Sequence, residues 1–307
     1  MIRPRPHGLT RSVQDRLRNA ARSENRPYAE ILQHYGLERY LYRLSRTPQS
    51  DRFVLKGALL MRIWDGAETR ATRDIDLLGP SDVSAEEVEQ LVRDCATVEV
   101  TPDGIEIEAD SVRVTPIRIP DKHVGFRARF DGFLAKSRLR FQIDVGAGDS
   151  VVPEPIELDY PVLLAFPAPR LRAYTPYTTI AEKFEAIVKL DLANTRMKDY
   201  FDLAALAANL EFDGEILGSA VAGTFESRGI EVPKELPPGL EEVFAQAPEK
   251  IVQWKAFVRK SRLEKRAGPL DETVARIREF LMPIVRAAGK TQTFEMRWPP
   301  GGPWRSE

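Results

Sequence analysis

Asp74 and Asp76 stand two residues apart in the run Thr72-Arg73-Asp74-Ile75-Asp76-Leu77-Leu78. If the run is a β-strand, alternate side chains share a face, so both carboxylates point one way and Ile75 and Leu77 the other. Carboxylates at that spacing, roughly 6–7 Å along the chain, can converge on one hard cation or on two neighbouring ones. A merely solvated strand face would carry the same pattern. Aspartate, however, is a poor strand former. A Lys56-Gly57 break and a short helical patch, Ala58 to Trp64, come just before, closed by Asp65-Gly66 turn chemistry. A third carboxylate, Asp144, ends a later run in which Leu139, Phe141, Ile143 and Val145 alternate with Arg140, Gln142 and Asp144. Alone, Asp144 would suit a strand-ending turn cap ahead of Gly146-Ala147-Gly148. With Asp74 and Asp76 it makes a candidate set of three acids.

A second constellation follows. Thr178 or Thr179 can cap a helix with Glu182 as its box partner, and Ile180, Phe184, Ile187, Val188 and Leu192 form its buried stripe. Lys183 and Lys189 leave that stripe. The next helix begins near Asn194, and Asp199 and Asp202, three residues apart, share one of its faces. The plain alternatives are a surface ion pair for Lys183, a first-turn cap for Asp199 and a salt-bridge partner for Arg196.

Together these stretches resemble the nucleotidyltransferase superfamily of the polymerase-beta-like fold: a strand, a glycine turn, a short helix, a D-x-D strand and a third acid on a neighbouring strand. More narrowly, the run Lys56 to Trp64 with Thr72 to Leu78 is similar to the AbiEii/AbiGii toxins, a family that includes the MenT toxins. The stretch Ala181-Glu182-Lys183-Phe184-Glu185-Ala186 followed by Arg196-Met197-Lys198-Asp199-Tyr200-Phe201-Asp202-Leu203 resembles that family's second motif. The resemblance covers residues 53–206.

It implies an α/β (α+β) fold, a mixed sheet flanked by helices with a mostly helical C-terminal region. It implies transfer of a nucleoside monophosphate from an NTP with release of pyrophosphate. Asp74, Asp76 and Asp144 would bind Mg2+ or Mn2+, and Asp144 would also act as general base. Lys183 would meet nucleotide phosphate, and Asp199 would be the second motif's acid. Lys56, Gly57, Thr72, Arg73, Arg196, Lys198 and Asp202 complete the expected nucleotide contacts. The family usually has Gly-Ser or Gly-Gly where this chain has Gly57-Ala58, which leaves backbone N–H groups at a helix start as the contact there. The implied acceptor is the tRNA 3′ end, so the product blocks translation, and the implied partner is an antitoxin in a toxin–antitoxin or phage-defence pair. Two other classes stay open: transfer to a small-molecule or protein hydroxyl, and a non-catalytic fold used for binding.

Composition bounds these readings. The 307 residues suffice for one large or two ordinary domains. Net charge is -1, so any nucleic-acid contact must come from a local patch. A single cysteine, Cys95, excludes a disulfide framework and reads as an apolar filler. His7, His34 and His123 have no metal-ligand spacing. No apolar run reaches membrane-spanning length and the N-terminus lacks the apolar segment of a signal peptide, so a cytoplasmic protein is expected.

The remaining elements divide the chain into a helical region at 1–50, a nucleotidyltransferase core at 51–170, a helical domain at 171–290 and a mobile tail at 291–307. Met1 to Gly8 reads as mobile. The first region holds an arginine-rich helix from Leu9 and two further helices, one after Pro27 and one from Leu37. In the core, Ser84 and Glu87 form a capping box, Val98 to Val114 reads as strands around Pro102-Asp103-Gly104, and Val124 to Phe130 pairs with Leu139 to Val145 around Asp131-Gly132. Pro161 to Phe166 reads as a short strand. Further on, Lys255, Arg259, Lys260, Arg262, Lys265 and Arg266 make a dense basic stretch beside Trp254 and Phe257, either a solvated face or an RNA contact.

Overall fold

The computed structural model describes residues 7–66, 70–118, 124–148, 151–288 and 293–306. His123 and most of the expected mobile N-terminus lie outside them. Alternation of apolar and polar residues builds one mixed sheet, and 3.6-residue periodicity builds the helices around it. In chain order the helices are α1 (His7–Ser23), α2 (Tyr28–Leu44), α3 (Met61–Trp64), α4 (Ala85–Thr97), α5 (Pro176–Leu190), α6 (Met197–Asn209), α7 (Gly214–Ser227), α8 (Glu242–Ala245), α9 (Pro248–Ser261) and α10 (Leu270–Ala288). The strands are β1 (Val54–Lys56), β2 (Asp74–Gly79), β3 (Ile105–Arg118), β4 (Val124–Leu134), β5 (Ser137–Ala147), β6 (Ile156–Asp159), β7 (Arg170–Ala173), β8 (Phe212–Asp213) and β9 (Arg297–Trp298). None of the described helices is long and apolar enough to cross a membrane.

The chain folds as two units. The first, the sheet unit, comprises Met1–Ile63, Ala71–Gly148 and Ile156–Ala173. Its seven strands run in the order β3-β4-β5-β2-β1-β7-β6, with β2 parallel to β5 and β1 antiparallel to β2. Leu139, Phe141, Ile143 and Val145 point into the core, where Tyr40 of α2 meets Phe130 and Phe141 at ring separations of 5.4 and 6.1 Å. The neighbours Gln142 and Asp144 therefore project from the other face of β5. Helix α4 starts at the expected capping box, with Ser84 accepting from the Glu87 N–H and Glu87 from the Ser84 N–H. It buries Val88, Leu91, Val92 and Cys95. Burial pushes the Cys95 thiol up to about 12, as suits a packing residue rather than a nucleophile.

Several local expectations change. Residues 28–44 form one helix, not two, because Ile31, Leu32, Tyr35, Leu37, Tyr40, Leu41 and Leu44 all bury on it. That packing outweighs the cost of Gly36 inside a helix, about 1 kcal/mol. Residues 98–104 form no strand: Asp103 is buried, gripped by Arg43 at 2.6 and 2.9 Å, and its carboxylate accepts the Ile105 N–H. The β4–β5 turn is Ala135-Lys136, not Asp131-Gly132, since Leu134 pairs with Ser137. Gly132 lies in mid-strand, where a Cβ would come within 2.7 Å of the Phe141 ring and 2.8 Å of the Glu106 carbonyl. Residues 161–166 form no strand either, as the Leu163 N–H goes to Glu38 at 2.7 Å and the Phe166 N–H to Leu164 at 2.7 Å.

The second, the helical unit, comprises Trp64–Arg70, Asp149–Pro155 and Tyr174–Glu307. Helix α5 is capped by Thr175, not Thr178 or Thr179, with Pro176 in its first turn. The Pro/Gly-rich C-terminal stretch, expected to be a mobile tail, packs instead. Strand β9 pairs with β8, Trp298 is fully buried with its indole N–H on the Ala207 carbonyl at 2.7 Å, and Trp304 stacks on Phe280. Two large aromatics supply apolar area that a composition rich in Pro and Gly conceals.

Candidate functional site

Strand register places four charged residues in one row across the sheet unit. Lys56 on β1 is opposite Asp76 on β2, Asp76 is opposite Asp144 on β5, and Asp144 is opposite Arg127 on β4. Residues in register on neighbouring strands share a face. One step along, Asp74, Gln142 and Arg129 form a second row. The three acids nominated from spacing thus occupy one face of two adjacent strands, β2 and β5, and all are half-buried.

The row is tightly built. Gly57 follows β1 with φ +78°, and a Cβ there would lie 2.1 Å from Asp76 Oδ2. A side chain would collide with that carboxylate, so glycine keeps the approach open. Thr72 Oγ1 lies 3.4 Å from the Asp74 carbonyl oxygen, and Arg73 is exposed. Arg127 grips Asp144 bidentately, Nε to Oδ1 at 2.7 Å and an Nη to Oδ2 at 2.6 Å. That bond raises the Arg127 pKa above its ordinary value against a smaller opposing effect of burial, and the charges of Asp144, Asp74 and Asp76 add to it. Gln142 Nε2 stands 3.5 Å from Asp144 Oδ2.

Oxygen donors at Asp74 and Asp76, half-buried on one face of β2, fit a hard divalent cation. Asp144 has both oxygens turned to Arg127, and no group of three His, Cys, Asp or Glu side chains among the described residues forms a cation cage.

The helical unit holds a second cluster. Lys183 Nζ on α5 donates to Asp199 Oδ1 at 2.9 Å and Asp202 Oδ2 at 2.7 Å, both on α6. Arg70 grips Asp202 bidentately at 3.0 Å, and Arg196 Nε lies 2.7 Å from Asp199 Oδ2. Both carboxylates are fully buried. Burial opposes charge on Asp202, but Arg70 and Lys183 more than offset it and hold its pKa well below the usual carboxylate range. Burial likewise works against the Lys183 ammonium, and Asp199 and Asp202 together raise its pKa above the ordinary value. Lys198 is exposed at the start of α6.

Two of these residues escaped the sequence reading. Arg127 becomes visible only once the β4–β5 turn is set at Ala135-Lys136. A turn four residues earlier pairs every β4 residue with the wrong partner. Arg70 carries no local signal, since its partner is 132 residues away.

A family profile described as "Nucleotidyl transferase AbiEii toxin, Type IV TA system" matches residues 39–281. Two solved structures from Helicobacter pylori are similar. One, provisionally described as a nucleotidyltransferase, has 15% identity over 86% of this chain and 98% of its own, with a TM-score of 0.48. The other, JHP933, has 15% identity over 85% of this chain and 94% of its own, also at 0.48. No curated protein matches.

Proposed function

The chain belongs to the AbiEii nucleotidyltransferase toxins of type IV toxin–antitoxin systems, and we propose that it transfers a nucleoside monophosphate from an NTP to the 3′ end of tRNA. The observation that carries this reading is the register that sets Asp74, Asp76 and Asp144 on one face with Gly57 against Asp76. A divalent cation, Mg2+ or Mn2+, held by Asp74 and Asp76 would neutralise triphosphate charge and favour departure of pyrophosphate. Gly57 lets the Asp76 carboxylate lie against the backbone, and Lys56 before it and Thr72 and Arg73 before Asp74 would meet phosphate. The acceptor hydroxyl oxygen bonds to the α-phosphorus, the bond to pyrophosphate breaks, and Asp144 takes the hydroxyl proton. In the helical unit, Lys183, Arg196 and Lys198 give the motif around Asp199 and Asp202 an excess of positive charge suited to phosphate. A tRNA blocked at its 3′ end cannot be aminoacylated, which halts translation. Lys255, Arg259, Lys260 and Arg262, all exposed on or just after α9, would hold the acceptor's backbone.

Transfer of label from each α-labelled NTP onto total tRNA, with Mg2+, tests the reading. The expected result is labelled tRNA with wild type and none with Asp76→Ala. Label on protein, or none with either chain, would sink the tRNA assignment. In the same assay, Lys255→Glu with Arg259→Glu should raise the tRNA concentration needed without changing the NTP requirement. An unchanged tRNA dependence would remove α9 from the acceptor surface.

A further inference from the structure

The row across the sheet has a cation at each end, Lys56 and Arg127. Arg127 is not an incidental neighbour: it faces Asp144 in strict antiparallel register and takes both carboxylate oxygens. A carboxylate so forked has one lone pair on each oxygen turned to an N–H group and its charge offset by the guanidinium, so a metal must compete for it. Neighbouring strands lie about 4.8 Å apart, so Asp144 stands within side-chain reach of Arg127 on one side and of Asp76, its register partner, on the other. Rotation about the Asp144 side chain switches between them without moving the backbone. The pair is open enough to part, with 30% of the Arg127 side chain and 18% of the Asp144 side chain exposed. A guanidinium does not give up its proton, so Arg127 yields only by leaving.

We propose that Arg127 is a positioning residue, a tethered counterion that competes with the divalent cation for Asp144. Asp144 then joins Asp74 and Asp76 at the cation only when the Arg127–Asp144 pair opens. The inference rests on the cation-binding reading of this row, and the test separates the two.

The test is Mn2+ binding to the full chain without nucleotide, read from the paramagnetic resonance signal of free Mn2+. Arg127→Gln should tighten Mn2+ binding on the order of three- to tenfold, the worth of freeing a half-exposed ion pair. Asp144→Asn in the Arg127→Gln background should remove that gain. Asp144→Asn alone should weaken binding less than Asp76→Asn does. Arg127→Lys, which keeps the charge and loses the fork, should give a smaller gain and serves if Arg127→Gln does not fold. Unchanged or weaker binding in both Arg127 variants overturns the inference while leaving the site intact, as does a loss in Asp144→Asn equal to that in Asp76→Asn. Wild-type Mn2+ binding by Asp76→Asn would instead break the cation-binding reading itself.

Discussion

The sheet unit's acidic row and the helical unit's Lys183 cluster use the same residue types to opposite ends. In the two rows, Asp74, Asp76 and Asp144 are matched in number by Lys56, Arg127 and Arg129, and all three acids are half-buried. In the cluster, Lys183, Arg70 and Arg196 outnumber two fully buried carboxylates. The first sets half-exposed carboxylate oxygens on one face and suits a cation; the second is left with positive charge and suits an anion. The difference also separates function from stability. A half-exposed acid can change partners at small cost, whereas a buried carboxylate stripped of its cation cannot.

The sharpest way to break this comparison is to exchange its two sides. Asp76→Asn should lower transfer on the order of a thousandfold, because the cation loses a ligand, while unfolding free energy in urea moves by no more than about 1 kcal/mol. Lys183→Met should cost about 3 kcal/mol or more of stability, since it leaves Asp199 and Asp202 buried beside fewer cations. If Asp76→Asn unfolds the protein, or Lys183→Met leaves its urea midpoint unchanged, the division between the two regions is wrong.

A smaller effect sharpens the row alone. Gly57→Ala places a methyl 2.1 Å from Asp76 Oδ2 at a backbone φ of +78°. Left-handed backbone at a non-glycine residue costs about 1 kcal/mol, and the collision adds to it. Stability should fall by about 1–2 kcal/mol, with a loss of transfer larger than that fall accounts for, because the carboxylate is pushed aside. Equal losses in both would mean that Gly57 serves the turn and not the carboxylate.

How much of this was legible in sequence follows from how local each feature is. The D-x-D strand and the Ser84–Glu87 capping box rest on contacts a few residues apart and form where spacing places them, and the α5 and α6 helices form with their starts shifted by two or three residues. Asp144 was readable as a strand residue on the polar face, and only the parallel pairing of β2 with β5 shows that it faces Asp76. Arg127 needed the true hairpin turn. The Asp131-Gly132 pair has strong turn chemistry, but close packing against Phe141 and β3 uses that glycine within a strand. Arg70 and the buried Trp298 were illegible for the same reason, as their partners are far along the chain and nothing in their neighbours' types announces them.

The smallest effect concerns acid, and its size separates the cluster from an ordinary exposed ion pair. Asp202 has a folded pKa below its unfolded one, so its contribution to stability is fully present above the unfolded value, about 3.9, and is lost as pH falls further. Lys183, raised above its ordinary value, contributes fully below an unfolded pKa of about 10.4 and loses that contribution only as pH rises through its folded value. The cluster is therefore level across neutral pH. Below pH ~4 it should weaken by no more than about 1.4 kcal/mol per pH unit for the one proton Asp202 takes up. Asp202→Asn should lower stability at pH 7 and flatten the slope of unfolding free energy below pH ~4. An unchanged slope in that variant would assign the acid sensitivity to other carboxylates and make the cluster's charge excess irrelevant to its stability.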